Sequence, residues 1–138
     1  MHKIIVTHRT KDGREPFTDW LVALPDKTLR HRVLVRLRRI EQGNYGDFKR
    51  FSGILEIRLN FGKGYRIYCG ELDDVVVILL VGGDKSSQGN DINLALEYWR
   101  EYHEQTKNEK SYVLGRNQFD LSLRMRDRAW RREAFVRL

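Results

Sequence analysis

The run VVVILLVGG at residues 75–83 holds seven consecutive apolar residues followed by two glycines. A half-buried strand alternates apolar and polar positions, so a run without alternation suits an interior strand covered on both faces. Few small architectures can bury such a strand. The rest of the chain has to supply sheet neighbours and two covering layers.

A second segment supplies the neighbours. In LEIRLNFGKGYRIYCGE (55–71), Leu55, Ile57, Leu59 and Phe61 alternate with Glu56, Arg58 and Asn60, the period of a strand. GKG at 62–64 reads as a three-residue hairpin loop with Gly64 in a left-handed position. That loop predicts Phe61 opposite Tyr65, Leu59 opposite Ile67 and Ile57 opposite Cys69 on the core side. On the other side it sets Asn60 against Arg66 and Arg58 against Tyr68. Arg58 and Arg66 are then diagonal neighbours, roughly 7–8 Å apart. ELDD (71–74) is the turn into the apolar run.

The covering layers come from helical periodicity. In EPFTDWLVAL (15–24), Phe17, Trp20, Leu21 and Leu24 fall at helical spacing behind Pro16. PD at 25–26 breaks the pattern, and a longer helix follows to Gly43 with Asp26 as N-cap. Its core stripe is Leu29, Val33, Leu37 and Ile40. Arg32, Arg36 and Arg39 form a second stripe that reads as a solvated helix face. DINLALEYWREYHEQ (91–105) is a third helix, with Ile92, Ala95, Leu96 and Trp99 on one side. KIIVTH (3–8) is a β-branched strand. The predicted fold is α+β, a small antiparallel sheet in the order β-α-α-β-β-β-α with helices packed on it.

The character changes after Lys107. Residues 1–107 carry 18 Lys+Arg against 15 Asp+Glu, and residues 108–138 carry 8 against 4. We therefore divide the chain into a domain at 1–107 and a basic C-terminal extension at 108–138, read as an arm or an appended helix. The whole chain has a net charge of +7 and pI near 9.8, which suits a polyanionic partner. One cysteine, Cys69, permits no internal disulfide and fits a reducing compartment, so we expect a cytoplasmic protein. His2, His8, His31 and His103 are scattered without metal-ligand spacing, and no cofactor motif is found.

LLVGGDKSSQGNDI (79–92) has the layout of a phosphate-binding loop: strand, glycines, lysine, serine, helix. With Lys85 in the lysine slot of G-x-x-x-x-G-K-[ST], the glycine slots fall on Leu79 and Asp84. The motif fails, and Asp84 would repel an anion. Lys85 nevertheless stands at the end of the interior strand, beside the hairpin that carries Arg58 and Arg66. Two cations so close repel unless an anion lies between them. Glu56 is one such anion, and a phosphate held by bidentate guanidinium contacts is another. Lys49, Arg50 and Lys63 add charge nearby, and Tyr68 adds a ring for base stacking.

In LEIRL, GYRIY and GGDKSSQGNDI, taken in this order, the chain resembles the RelE/ParE superfamily of bacterial toxins. Its resemblance is greatest to the phage-derived, HigB-like branch of addiction-module killer proteins, and it covers residues 3–105. The resemblance implies a RelE-like fold and an mRNA-cleaving toxin of a type II toxin–antitoxin system. Such a toxin acts on the ribosome, inhibits translation and is held inactive by a small helix-turn-helix antitoxin. It implies metal-independent chemistry, in which the ribose 2′-OH attacks the adjacent phosphate. On that basis Arg58, Arg66 and Lys85 are the catalytic residues. Lys49, Arg50, Lys63, Tyr68 and Gln88 bind substrate. A gyrase poison of the ParE type and a non-catalytic RNA-binding relic are the alternatives.

Overall fold

The computed structural model describes residues 2–108, so the basic extension from 109 onward lies outside the described residues. The elements are β1 (Ile4–Thr7), α1 (Pro16–Ala23), α2 (Lys27–Glu41), β2 (Phe48–Phe51), β3 (Ile54–Leu59), β4 (Tyr65–Leu72), β5 (Val76–Gly83) and α3 (Gln88–Asn108). A 3-10 turn at Lys85–Ser87 leads into α3.

Five strands form one mixed sheet in the order β1-β5-β4-β3-β2. The strands β2 to β5 run antiparallel to their neighbours, and β1 joins β5 in parallel. This corrects the expectation of a wholly antiparallel sheet, and β2 is a strand that expectation lacked. Short-range pattern does not carry the direction in which β1 meets a strand some seventy residues away. The strand β2, FKRF, has an exposed pattern with no apolar run to announce it. It is made by a two-residue turn in which Ser52 and Gly53 both take positive φ, 51° and 81°, so that Phe51 pairs with Ile54.

Both faces of the sheet are covered, as the apolar run demands. On one face α1 and α2 pack Phe17, Leu21, Val33, Leu37 and Ile40 against Leu55, Ile57, Ile67 and Val77. Asp26 caps α2 by accepting from the Thr28 N–H, as its place in the sequence predicts. On the other face α3 lays Ala95 and Tyr102 on Val6, Ile54, Tyr68, Ile78 and Leu80. Every residue of β5 is buried.

The β3–β4 hairpin differs from its predicted register. Leu59 pairs with Tyr65, Arg58 with Arg66, Ile57 with Ile67 and Glu56 with Tyr68. The loop holds five residues rather than three, with Gly62 and Gly64 both at positive φ. The Phe61 ring lies 5.8 Å from that of Tyr65, and the Phe61 N–H donates to the Leu59 carbonyl, which draws Phe61 out of the ladder. Each residue meets a partner two places from the predicted one. An even slip preserves the face of every side chain, so the apolar alternation stays intact.

A bulge between β4 and β5 brings the site together. Tyr68 pairs with Val81 and Cys69 with Leu79, leaving Leu80 extra. Beyond it, Gly82 faces Trp20 of α1, and Gly83 faces Asp91 and Ser87. Any Cβ at either glycine would collide with these groups.

Candidate functional site

The face that β3 and β4 turn toward α3 ends in a charged cluster built on one carboxylate. Glu56 is 1% exposed, with four polar groups directed at it. Arg58 Nε donates to Oε1 at 3.1 Å. Tyr68 OH donates to Oε2 at 3.1 Å and Gln88 Nε2 donates to it at 2.8 Å. Arg66 Nε lies 3.6 Å from Oε2, an ion pair too long for a hydrogen bond. Burial pushes the Glu56 carboxyl up, but hydrogen bonds from Gln88, Arg58 and Tyr68 outweigh it and hold the group below the usual glutamate range. Burial, then the Glu56 charge and hydrogen bond, push the Tyr68 phenol upward.

Two guanidinium groups around one carboxylate leave an excess of one positive charge. Arg58 and Arg66 are directly opposite in the ladder, with Cα atoms ~4.5–5.5 Å apart, rather than diagonal. Their side chains are 35% and 14% exposed. Arg66 Nη1 donates to the Gly64 carbonyl at 2.7 Å, while Nε is buried and has no hydrogen-bond partner. The cluster therefore keeps donor capacity beyond what Glu56 uses.

Lys85 joins this cluster from the 3-10 turn. A Cβ on Gly64 would sit 3.4 Å from Arg66 Nη1 and 3.5 Å from Lys85 Cβ, so the hairpin loop, Arg66 and Lys85 meet at one point. The Lys85 N–H donates to the Lys63 carbonyl at 3.3 Å, which pins the turn to that loop. Lys85 and Lys63 are both exposed. The turn itself is no anion cradle. Asp84 takes the Ser86 N–H with its side chain and the Ser87 N–H with its carbonyl, as befits a carboxylate-capped turn. Asp91 packs behind it, accepts a hydrogen bond from Ser87 Oγ and is held above the usual aspartate range by burial.

Three expected substrate contacts are corrected. Arg50 lies on the opposite face of the sheet: it pairs with Leu55, donates to Glu71 at 3.1 and 3.3 Å, and stacks over Phe48 at 5.0 Å. Its neighbour Lys49 does share the site's face, opposite Glu56. Tyr68 is fully buried and faces Glu56 rather than Arg58, so its ring is closed to a base. Gln88 is half-buried with its amide committed to Glu56, so it positions the carboxylate. Tyr65 is buried, as the alternation indicates. In the α2 stripe, Arg36 is not purely solvated, since it donates to the carbonyls of Tyr45 and Asp47 at 3.1 Å each.

One pair, a buried histidine against a partly exposed glutamate, was not expected from the sequence. His8 is 0% exposed, and its Nε2 lies 2.6 Å from Glu101 Oε1 of α3. Nothing local in KIIVTH or ALEYWREYHEQ marks these two residues as partners. Among the described residues no three His, Cys, Asp or Glu side chains gather as a metal site, and no helix is long and apolar enough to cross a membrane.

No family model and no solved structure matches the chain. Among curated proteins, an uncharacterised protein of Haemophilus influenzae is 42% identical over 80 residues, covering 57% of this chain and 81% of the relative.

Proposed function

We propose that this chain, which belongs to one family with the Haemophilus influenzae protein, is an mRNA-cleaving toxin of the RelE/ParE superfamily, in the HigB-like branch. The fold would then be RelE-like, the mRNA substrate would be met on the ribosome, and a small helix-turn-helix antitoxin would hold the protein inactive in the cytoplasm. The observation that carries this reading is the opposed pair Arg58 and Arg66 around buried Glu56, with Lys85 beside it.

That arrangement suits phosphoryl transfer without a cofactor. The 2′-oxygen forms a bond to phosphorus as its proton passes to a solvent water, and the bond from phosphorus to the 5′-oxygen breaks. The products are a 2′,3′-cyclic phosphate and a 5′-hydroxyl. Arg66, fixed by Gly64 and Glu56, and Arg58, at the rim, place positive charge where the pentacovalent phosphorane becomes more anionic. Lys85, exposed at the edge, donates a proton to the departing oxygen. Glu56 holds both arginines in place. It is too buried and too well hydrogen-bonded to serve as the base.

A non-catalytic RNA-binding protein is the second reading. It is favoured by Glu56, the carboxylate of the cluster, which is buried and spent on Arg58, Tyr68 and Gln88 and so offers no base to the 2′-OH. The two readings separate when the purified chain is incubated with mRNA in a translating extract. Fragments ending in cyclic phosphate, absent with Arg66→Ala, support the toxin. Intact mRNA with both proteins rejects it.

A further inference from the structure

We propose that the groove between α3 and the β1–α1 connection is the docking site of this chain's own arginine-rich segment, residues 124–132. The groove has a volume of about 450 Å³, and Leu94 and Tyr98 give its lining apolar surface. Glu97, Glu101 and Glu104 line it on the α3 side and Lys11 on the other. Arg100 also lines it, so the carboxylates hold a majority of one in a protein that is otherwise basic.

The three glutamates are not equivalent. Glu101 is committed inward, to His8 Nε2 at 2.6 Å and to the Lys11 N–H at 3.4 Å. Glu104 meets only Lys107, at 3.6 Å in an exposed pair that contributes little. Glu97 has no partner among the described residues. Glu97 and Glu104 stand two helical turns apart, about 10.5 Å along one side of α3, with Tyr98 between them in sequence. The occupant that fits is a short segment with an apolar body and cations on both sides of it. A nucleic acid would be repelled by the same carboxylates.

RMRDRAWRR, residues 124–132, has that composition. Met125, Ala129 and Trp130 are interleaved with Arg124, Arg126, Arg128, Arg131 and Arg132, against the one acid Asp127. The connection is long enough. The helix α3 ends at Asn108, one turn past Glu104, and the fifteen residues 109–123 precede the segment. They span up to roughly 50 Å when extended, whereas Leu94 lies only about 21 Å back along the helix. A tethered segment meets its site at an effective concentration on the order of millimolar, so modest contacts suffice.

The test is amide hydrogen exchange on the full-length chain, read by mass spectrometry over residues 124–132. A synthetic peptide of residues 109–138 serves as the unprotected reference. Exchange in the intact protein should be slower by about tenfold. Glu97→Lys with Glu104→Lys should abolish the protection without changing the melting temperature, since both residues are exposed. Adding Arg128→Glu and Arg131→Glu should restore it. Exchange as fast as in the peptide overturns the proposal, and so does protection that survives the charge reversal. Protection that rises with protein concentration would place a second copy's segment in the groove and overturn docking within one chain.

Discussion

Arg58 and Arg66 face each other directly across β3 and β4, and one buried carboxylate, that of Glu56, contacts both guanidinium groups. Like charges directly opposed across a ladder are destabilising unless something compensates them. Here Glu56 compensates one charge of the two. The remaining charge is what the proposed phosphate would meet.

The first prediction concerns Arg66. Its Nη1 is anchored on the Gly64 carbonyl and its Nε faces Glu56, so the guanidinium is fixed in place beside Arg58 with its charge set for a phosphate. Arg66→Ala should lower the rate of mRNA cleavage about a hundredfold, equivalent to roughly 3 kcal/mol of transition-state stabilisation. It should also relieve growth arrest when the protein is expressed without a partner. Glu56 keeps Arg58, Tyr68 and Gln88 in this variant, so circular dichroism should be unchanged. Equal toxicity at matched protein levels would reject the role.

The second prediction concerns Glu56 and acid. Its folded carboxyl is held below the ordinary glutamate range, so it contributes stability above the unfolded value of about 4.3. That stability is lost as pH falls through the lower, folded value. Glu56→Gln should therefore melt at a lower temperature than wild type at pH 7, and the gap should narrow toward pH 3. Glu56→Ala strands buried Tyr68 and the partly buried Arg66 without their acceptor and should cost about 3–5 kcal/mol. Thermal melts across that pH range measure both. A gap that stays constant with pH would show that Glu56 does not titrate as described.

Much of this arrangement was legible in the sequence, and the parts that were not share a cause. Alternation assigned Arg58, Arg66 and Glu56 to one face and Ile57, Leu59 and Tyr65 to the other, and the structure agrees. Alternation constrains the face but not the partner, so the loop length and register were open to an even slip. Glu56 was legible as a bridging anion because it lies two residues from Arg58 on the same face. Its burial was not, because α3 covers that face through contacts distant in sequence. Arg50 was misplaced for a different reason. Without β2 as a strand, nothing showed that Lys49 and Arg50 point to opposite faces. The dipeptide Ser52-Gly53 between FKRF and ILEI was the available turn signal.

The third prediction follows from the donor chemistry. Among the described residues no three His, Cys, Asp or Glu gather as metal ligands, and the cations of the site take over the electrostatic role. Where naked RNA is cut in a ribosome-free assay, the cleavage should persist in EDTA and leave cyclic phosphate ends. A strict need for Mg²⁺ or Mn²⁺ there would contradict the reading. Ribosomes themselves need Mg²⁺, so only the ribosome-free arm decides.

The last prediction concerns His8, which follows β1 and ties it to α3. Its ring is fully buried against Tyr98 and Tyr102, at 5.6 and 6.1 Å, and its Nδ1 has no partner. Burial lowers its basicity, and the hydrogen bond and charge of Glu101 only partly offset that. The folded imidazole thus takes up a proton at lower pH than the unfolded one. Below the unfolded value of about 6.5 the denatured chain binds the proton first, so stability must fall as pH drops through that value. Melting temperature should decline between pH 7.5 and 5.5, before the carboxylates titrate. His8→Asn removes the titrating group, leaves Glu101 a side-chain donor and should flatten the decline while lowering stability at pH 7.5. Parallel melts of the two proteins at those pH values decide it, and equal slopes would reject the assignment to His8. The α3–β1 contact, and with it the wall of the proposed docking groove, is then the part of the fold that weakens first in mild acid.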